Sequence, residues 1–250
     1  MESLLSESVQ IKKISETSKK GVFEIEGLYT GYGLTMGNAL RRALLSSLEG
    51  AAITQVKIKN VNHEFSTLPG VMEDILEITL NLKDVKLRVF SEEPQVLLLK
   101  SKGEGQVFAR DIKVNSEVEI ITPNTLIATL TEKGAELDME LTVSRGLGYS
   151  PVDSRKVEKL GVGTIALDAL FSPVLLVNYN VSNMRVGERT DYNRLNIEIE
   201  TDGTKSPSQA LSEAVSILND HFSKIKEFEV TSFDSQVLTE SPVKKSKKNK

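Results

Sequence analysis

The sequence has no cysteine and no tryptophan, and only two histidines in 250 residues. Without cysteine there is no disulfide, thiolate zinc site, iron–sulfur ligation or cysteine nucleophile. His63 and His221 stand far apart in the chain. A His-rich metal site or a His-based acid–base pair is hard to build from them. Aromatic residues make up 5 % of the sequence, too few to suggest a base-stacking platform. No apolar run approaches the ~20 residues of a membrane span. The first eight residues are polar and acidic, unlike a signal peptide. These absences predict a soluble cytoplasmic protein without a catalytic centre of its own, metal-free and cofactor-free.

What is present sets the scale. A chain of 250 residues fits one large domain or two small ones and can bury a sizeable core. The net charge is −4, and the last seven residues hold five lysines, so the remainder carries −9. An acidic body argues against a nucleic-acid grip over the whole surface. The lysines of residues 244–250 read as the end of a solubilising tail.

Short strand signals dominate, with three helical stretches and no internal repeat. Residues 9–14 and 22–26 predict a hairpin across Lys19-Lys20-Gly21. A first helix is predicted from an N-cap at Thr35 to a C-terminal cap at Gly50. Met36, Ala39, Leu40, Ala43, Leu44 and Leu48 form its apolar face, with Arg41 and Arg42 pointing away. A second helix is predicted over 69–80, burying Met72, Ile75, Leu76 and Leu80. Residues 87–90 are expected to pair with 95–100, and further strands fall at 52–58, 117–121, 125–130, 137–143, 174–181 and 195–200. The last helix has the clearest start: Ser206 as cap, Pro207 at the first position and Gln209 completing a capping box. Leu211, Ala214, Val215, Leu218, Phe222 and Ile225 follow at steps of three and four. A stripe that broad predicts a partner helix.

Catalytic motifs are missing. Gly31, Gly33 and Gly37 precede a helix, where backbone N–H groups bind anions. Their spacing is not the dinucleotide pattern, and no P-loop Lys-Ser/Thr follows. The other reading is a tight turn with close helix packing. No serine has the context of a hydrolase elbow. Arg41 and Arg42 are solvated charges or, since Arg is enriched at interfaces, anchors in a protein contact.

The string Gly31-Tyr-Gly33-Leu-Thr-Met-Gly37-Asn38-Ala39-Leu40-Arg41-Arg42-Ala-Leu-Leu-Ser46-Ser47 resembles the signature of the alpha subunit of bacterial-type DNA-directed RNA polymerase. The resemblance continues through Val61-Asn-His63-Glu64-Phe-Ser-Thr67, Gly70-Val-Met-Glu73-Asp74 and Arg145-Gly-Leu-Gly148-Tyr149-Ser-Pro151. It closes with Phe171-Ser172-Pro173-Val174, Val186-Gly-Glu188-Arg189-Thr190-Asp191 and Glu200-Thr201-Asp202-Gly203-Thr204, and spans residues 9–228 in order.

The resemblance implies an α+β fold. A discontinuous dimerisation domain, an antiparallel sheet plus two long helices, takes residues 5–49 and 174–229. A β-rich domain at 50–173 is inserted in it, and 230–250 is a flexible basic tail. It implies a homodimer on which the beta and beta-prime subunits assemble, with omega and sigma in the complex and DNA reached only indirectly. The chain would be a non-catalytic subunit of a nucleotidyltransferase. The beta-facing residues carried over are Arg41, Arg42, Ser46, Ser47, His63, Glu64, Thr67, Glu73 and Asp74. The beta-prime-facing ones are Asn178, Arg189, Thr190 and Asp191. The dimer seam would take Met36, Leu40, Leu44, Leu211, Val215, Leu218 and Phe222. The implied location is cytoplasmic and nucleoid-associated, with a plastid as the other compartment open to such a chain.

Two departures limit the transfer. Family members usually continue past a linker into a small DNA-binding helical domain, whereas this sequence runs to a lysine-rich stretch ending at Lys250. Leu147 stands where the family often has Arg. The loop around 155–160 also reads as shortened. The competing readings are a stand-alone α+β enzyme using the glycine turn for an anionic substrate, and a non-specific DNA-binding dimer using the tail.

Overall fold

The computed structural model describes residues 9–155, 161 and 163–228. The tail at 230–250 and the loop at 156–160 lie outside the described residues. The chain opens with β1 (Gln10–Glu16), β2 (Lys20–Leu28), α1 (Tyr32–Ser46), β3 (Glu49–Ile58) and α2 (Ile75–Asp84). Then come β4 (Leu87–Val89), β5 (Gln95–Lys102), β6 (Gly105–Phe108), β7 (Ile112–Lys113), β8 (Val118–Ile120) and β9 (Leu126–Leu130). It continues with β10 (Glu136–Leu147), β11 (Tyr149–Ser150), β12 (Thr164–Ala166) and β13 (Ala169–Leu170). It closes with β14 (Val174–Val186), β15 (Arg189–Thr201) and α3 (Pro207–Lys226). This is a mixed α+β fold with several sheets. The helices have 15, 10 and 20 residues, so the expectation of two long helices is met by one.

Strands from the two ends of the chain form a four-stranded antiparallel sheet in the order β1-β2-β15-β14. Alternation decides its faces. Phe23 and Ile25 of β2 and Leu195, Ile197 and Ile199 of β15 point inward, against Leu40, Ala43, Leu44 and Leu48 from α1 and beyond its end and Ala210, Leu211 and Ala214 of α3. Charged residues cover the other face, where Glu26 meets both Lys12 and Arg194, and Lys20 meets Glu198.

A separate apolar cluster fills the middle of the chain. Its five-stranded sheet has the order β12-β3-β10-β5-β7 and is joined by α2 and three two-stranded ribbons. The chain passes from α1 into β3 at Glu49 and Gly50 and returns through Phe171–Pro173 into β14. The two crossings lie side by side: a Cβ on Gly50 would stand 1.8 Å from the Phe171 carbonyl oxygen.

Five expectations are corrected here. Thr35 does not cap α1; the helix starts earlier, after Gly31 with φ of +86°, because the distant Asn193 accepts from Gly31 N and Gly33 N while the Tyr29 carbonyl accepts from Tyr32 N. Gly50 is no helix cap but the second residue of β3, where the Phe171 carbonyl leaves no room for a side chain. The second helix begins at Ile75 rather than Pro69, since the Asp74 carboxylate accepts from Glu77 N at 2.7 Å and starts it there. Its buried residues are Ile75, Ile78, Thr79 and Leu82, and Met72, Leu76 and Leu80 face outward. Finally, β4 pairs with β8 and β5 with β10 and β7, so the expected local hairpin between 87–90 and 95–100 gives way to longer-range pairing. The first hairpin and the last capping box form as read. Ser206 Oγ accepts from Gln209 N at 3.3 Å, and Gln209 Oε1 accepts from Ser206 N at 3.1 Å.

Candidate protein–protein interface

The glycine turn positions α1. Asn193 Oδ1, projecting from β15, accepts from Gly31 N at 2.8 Å and from Gly33 N at 3.3 Å. The donors that an anion would need are thus engaged by a buried side chain. A Cβ on Gly33 would stand 2.7 Å from Val181, and one on Gly37 2.7 Å from the Tyr179 ring. The glycines therefore let α1 lie close on β14 and β15, which is the packing reading and not the phosphate one.

With α1 seated, a groove of about 840 Å³ opens between α1 and α3. Leu34, Ala39 and Arg42 line it from α1, Tyr179 from β14, and Leu218 and Phe222 from α3. Arg42 is therefore on the groove wall and not turned away from it. Ser46 and Ser47 line the same groove, with Ser46 Oγ donating to the Arg42 carbonyl at 2.7 Å. Arg41 reaches elsewhere, and its Nε donates to the Val177 carbonyl at 3.3 Å. The second half of α3 extends past the core: Phe222 is 62 %, Ile225 68 % and Phe228 77 % exposed. Val215 is exposed, and Met36 and Leu218 are half-buried. Leu40, Leu44 and Leu211 are buried within the chain itself. Of the residues expected in the seam, Leu218 and Phe222 line the groove beside the exposed Leu34, whereas Val215 lines a separate hollow with Ile11 and Phe23.

The other carried-over residues fall in two places. His63, Glu64 and Thr67 are exposed in the loop before α2, where His63 Nδ1 lies 3.1 Å from Ser66 Oγ. Glu73 is turned inward, and its carboxylate accepts from Thr129 N at 2.6 Å and Thr129 Oγ1 at 2.9 Å. Asp74 is spent on capping α2. At the far end of the four-stranded sheet, Arg189 donates to Asp191 from Nε at 3.0 Å and Nη2 at 2.7 Å. Its guanidinium carbon stands 4.9 Å from the centre of the Tyr29 ring and 5.4 Å from that of Tyr192. Hydrogen bonds from Arg189 and then Thr30 hold the Asp191 carboxyl far below the usual carboxylate range. Thr190 is exposed beside this cluster, and Asn178 is exposed on β14, opposite Glu198 in the ladder.

The sequence reading missed Tyr29, Thr30, Tyr192 and Asn193. Nothing local marks them, because their partners lie about 160 residues away in the chain. Among the described residues no group of three or more His, Asp or Glu side chains could hold a metal ion. No described helix is long and apolar enough to cross a membrane.

A mixed α+β chain with a helix-lined apolar groove, and a second apolar core inserted between the strands of its outer sheet, is the class that fold and surfaces define. Residues 56–172 match the family profile described as the RNA polymerase Rpb3/RpoA insert domain. The chain is 50 % identical over 208 residues to the DNA-directed RNA polymerase subunit alpha of Symbiobacterium thermophilum, covering 83 % of this chain and 66 % of that one. It is 48 % identical over 230 residues to that of a Roseiflexus species, covering 92 % and 71 %. With that of Moorella thermoacetica it shares 51 % over 203 residues, covering 81 % and 64 %. The chain spans about two thirds of the length of the curated relatives it matches. It belongs to the family of DNA-directed RNA polymerase alpha subunits.

Proposed function

We propose that this chain is a non-catalytic assembly subunit of DNA-directed RNA polymerase, acting in DNA-templated transcription. It homodimerises and presents a platform to the beta and beta-prime subunits, with omega and sigma joining the complex. The observation that carries this reading is the exposed apolar second half of α3 beside the groove it shares with α1. In a two-fold dimer the exposed α3 residues of each copy pack over the α3 side of the other's groove with the same residues, leaving its Arg42, Ser46 and Ser47 side for a different partner. The residues at 5–49 and 174–229 make the dimerising unit, and those at 50–173 the inserted one, in keeping with two separate apolar clusters.

Arg41, Arg42, Ser46, Ser47 and the segment 63–74 serve the beta subunit, and Asn178 and Arg189–Asp191 serve beta-prime. Glu73 acts there by holding the segment's shape through Thr129. DNA is met only through the complex, and the complex works in the cytoplasm at the nucleoid.

Native mass spectrometry of the tagged chain purified from its own cell tests this. The expected mass is two copies of the chain with two much larger subunits. In Arg42→Ala the dimer persists and the large subunits are lost. A bare dimer carrying a small anionic ligand would instead favour an enzyme built on the glycine turn.

A further inference from the structure

Two adjacent chain crossings make a hinge, because rotation about the line through them stretches neither. Here the crossings at Gly50 and at Phe171–Pro173 touch one another. Asp202 N donates to the Pro173 carbonyl at 3.0 Å, tying the second crossing to the turn before α3. The angle between the two apolar cores must therefore be set by a contact away from the hinge. Such a contact is present. Arg88, on the short strand β4 of the inserted region, reaches the turn that leads into α3. Its Nε and Nη2 both donate to the Thr204 carbonyl, at 3.2 and 2.5 Å.

Both ends of this contact are braced. Arg88 Nη1 donates to Glu119 Oε2 at 2.8 Å on the paired strand β8, which aims the guanidinium. On the other side, Asp202 Oδ1 accepts from Thr204 N at 2.8 Å and Thr204 Oγ1 at 2.6 Å, which fixes the turn. The next residue, Lys205, binds Glu213 on α3 at 2.6 Å. A cleft of about 160 Å³ is lined by Glu49 and Gly50 at the hinge and by Arg88 and Thr204 at the contact. A fork with two donors on one oxygen resists rotation better than a single ammonium would.

We propose that Arg88 is the positioning residue that clasps the inserted unit to the helix-bearing sheet. It holds the loop before α2 and the α1–α3 groove in one frame, so that partners meet both at a fixed angle. The inference rests on the two-unit division proposed above.

The absence of cysteine allows a clean test. Ser18→Cys and Glu104→Cys place one spin label on each unit at exposed turns, and dilution with unlabelled chain leaves one labelled copy per dimer. Double electron–electron resonance then reads the distance distribution. The parent gives one narrow peak. Arg88→Ala loses it to a broad or shifted distribution at unchanged circular dichroism. Glu119→Gln, which leaves the bonds to Thr204, keeps the narrow peak. Should Arg88→Ala lose its sheet signal, Arg88→Lys carries the test, since it keeps stem and charge and loses the fork. A folded variant whose distribution superimposes on the parent's would overturn the clasp. The readout does not depend on polymerase assembly, so the clasp and the assembly reading stand or fall separately.

Discussion

Asn193 on β15 caps α1 at Gly31, the residue before the helix and 162 residues earlier in the chain. One amide oxygen serves two backbone donors, and Asn193 Nδ2 in turn reaches Asn183 Oδ1 at 3.3 Å. The helix that lines the groove is thus started by the strand beneath it.

Replacing Asn193 with Ala leaves the buried Gly33 donor without its acceptor and removes the partner of the Gly31 donor. The expected loss is about 2 kcal/mol, at the upper end for a cap. Asn193→Asp keeps the acceptor and loses less. Urea unfolding of the three proteins checks the order; equal midpoints for Ala and parent would show that the cap contributes nothing.

Gly50→Ala drives a methyl into the Phe171 carbonyl. Backbone cannot step aside as a flexible side chain can, so the expected cost is about 3 kcal/mol or more. Gly134 has open space around its Cβ position, and Gly134→Ala should stay within about 0.5 kcal/mol of the parent. Thermal melts of the pair make the comparison internal.

Glu16 ties β1 to the start of α3. Its Oε2 accepts from Lys13 Nζ at 2.8 Å and its Oε1 from Ser208 N at 2.9 Å. The Lys13 bond first, then those from Ser208, lower the carboxyl from 4.5 to about 2. The folded value lies below the unfolded one, so the contribution is complete above the unfolded value and is lost as pH falls toward 2. Unfolding midpoints of the parent and Glu16→Gln should differ near neutrality and converge in acid. A constant difference across that range would assign the effect to something other than this proton.

Leu218→Glu puts a charge on the groove wall. If a second copy fills the groove, the charge is buried without a partner and the dimer is lost. Light scattering should read the monomer mass. A dimer of unchanged mass would move the seam elsewhere.

What could be read from sequence follows from distance along the chain. The Ser206 to Gln209 capping box lies within four residues, and the structure keeps it. The hairpin of β1 and β2 is likewise local. Local sequence does not locate the start of α1, whose cap comes from Asn193, or the role of Gly50, whose neighbour is Phe171. The stripe on α2 was misassigned for another reason. Of the expected stripe Ile75 is buried, but apolar Met72, Leu76 and Leu80 face outward and polar Thr79 inward, so periodicity alone does not select the buried face. At the groove, Arg42 and Phe222 were legible as surface candidates. Tyr179 joined them only once β14 lay under α1.

The pairing of Ile25 with Leu195 also sets a timetable. The first hairpin and α1 leave the ribosome early, but the strand that completes their sheet follows only after the whole inserted region. At ~5–20 residues per second that is a wait of roughly ten to thirty seconds. Through that interval the inner face of α1 has no sheet to cover it, while the middle of the chain can already close its own core. The sheet that joins the two ends of the sequence therefore cannot close until β15 has been made, by which time every strand of the inserted core is already present in the chain.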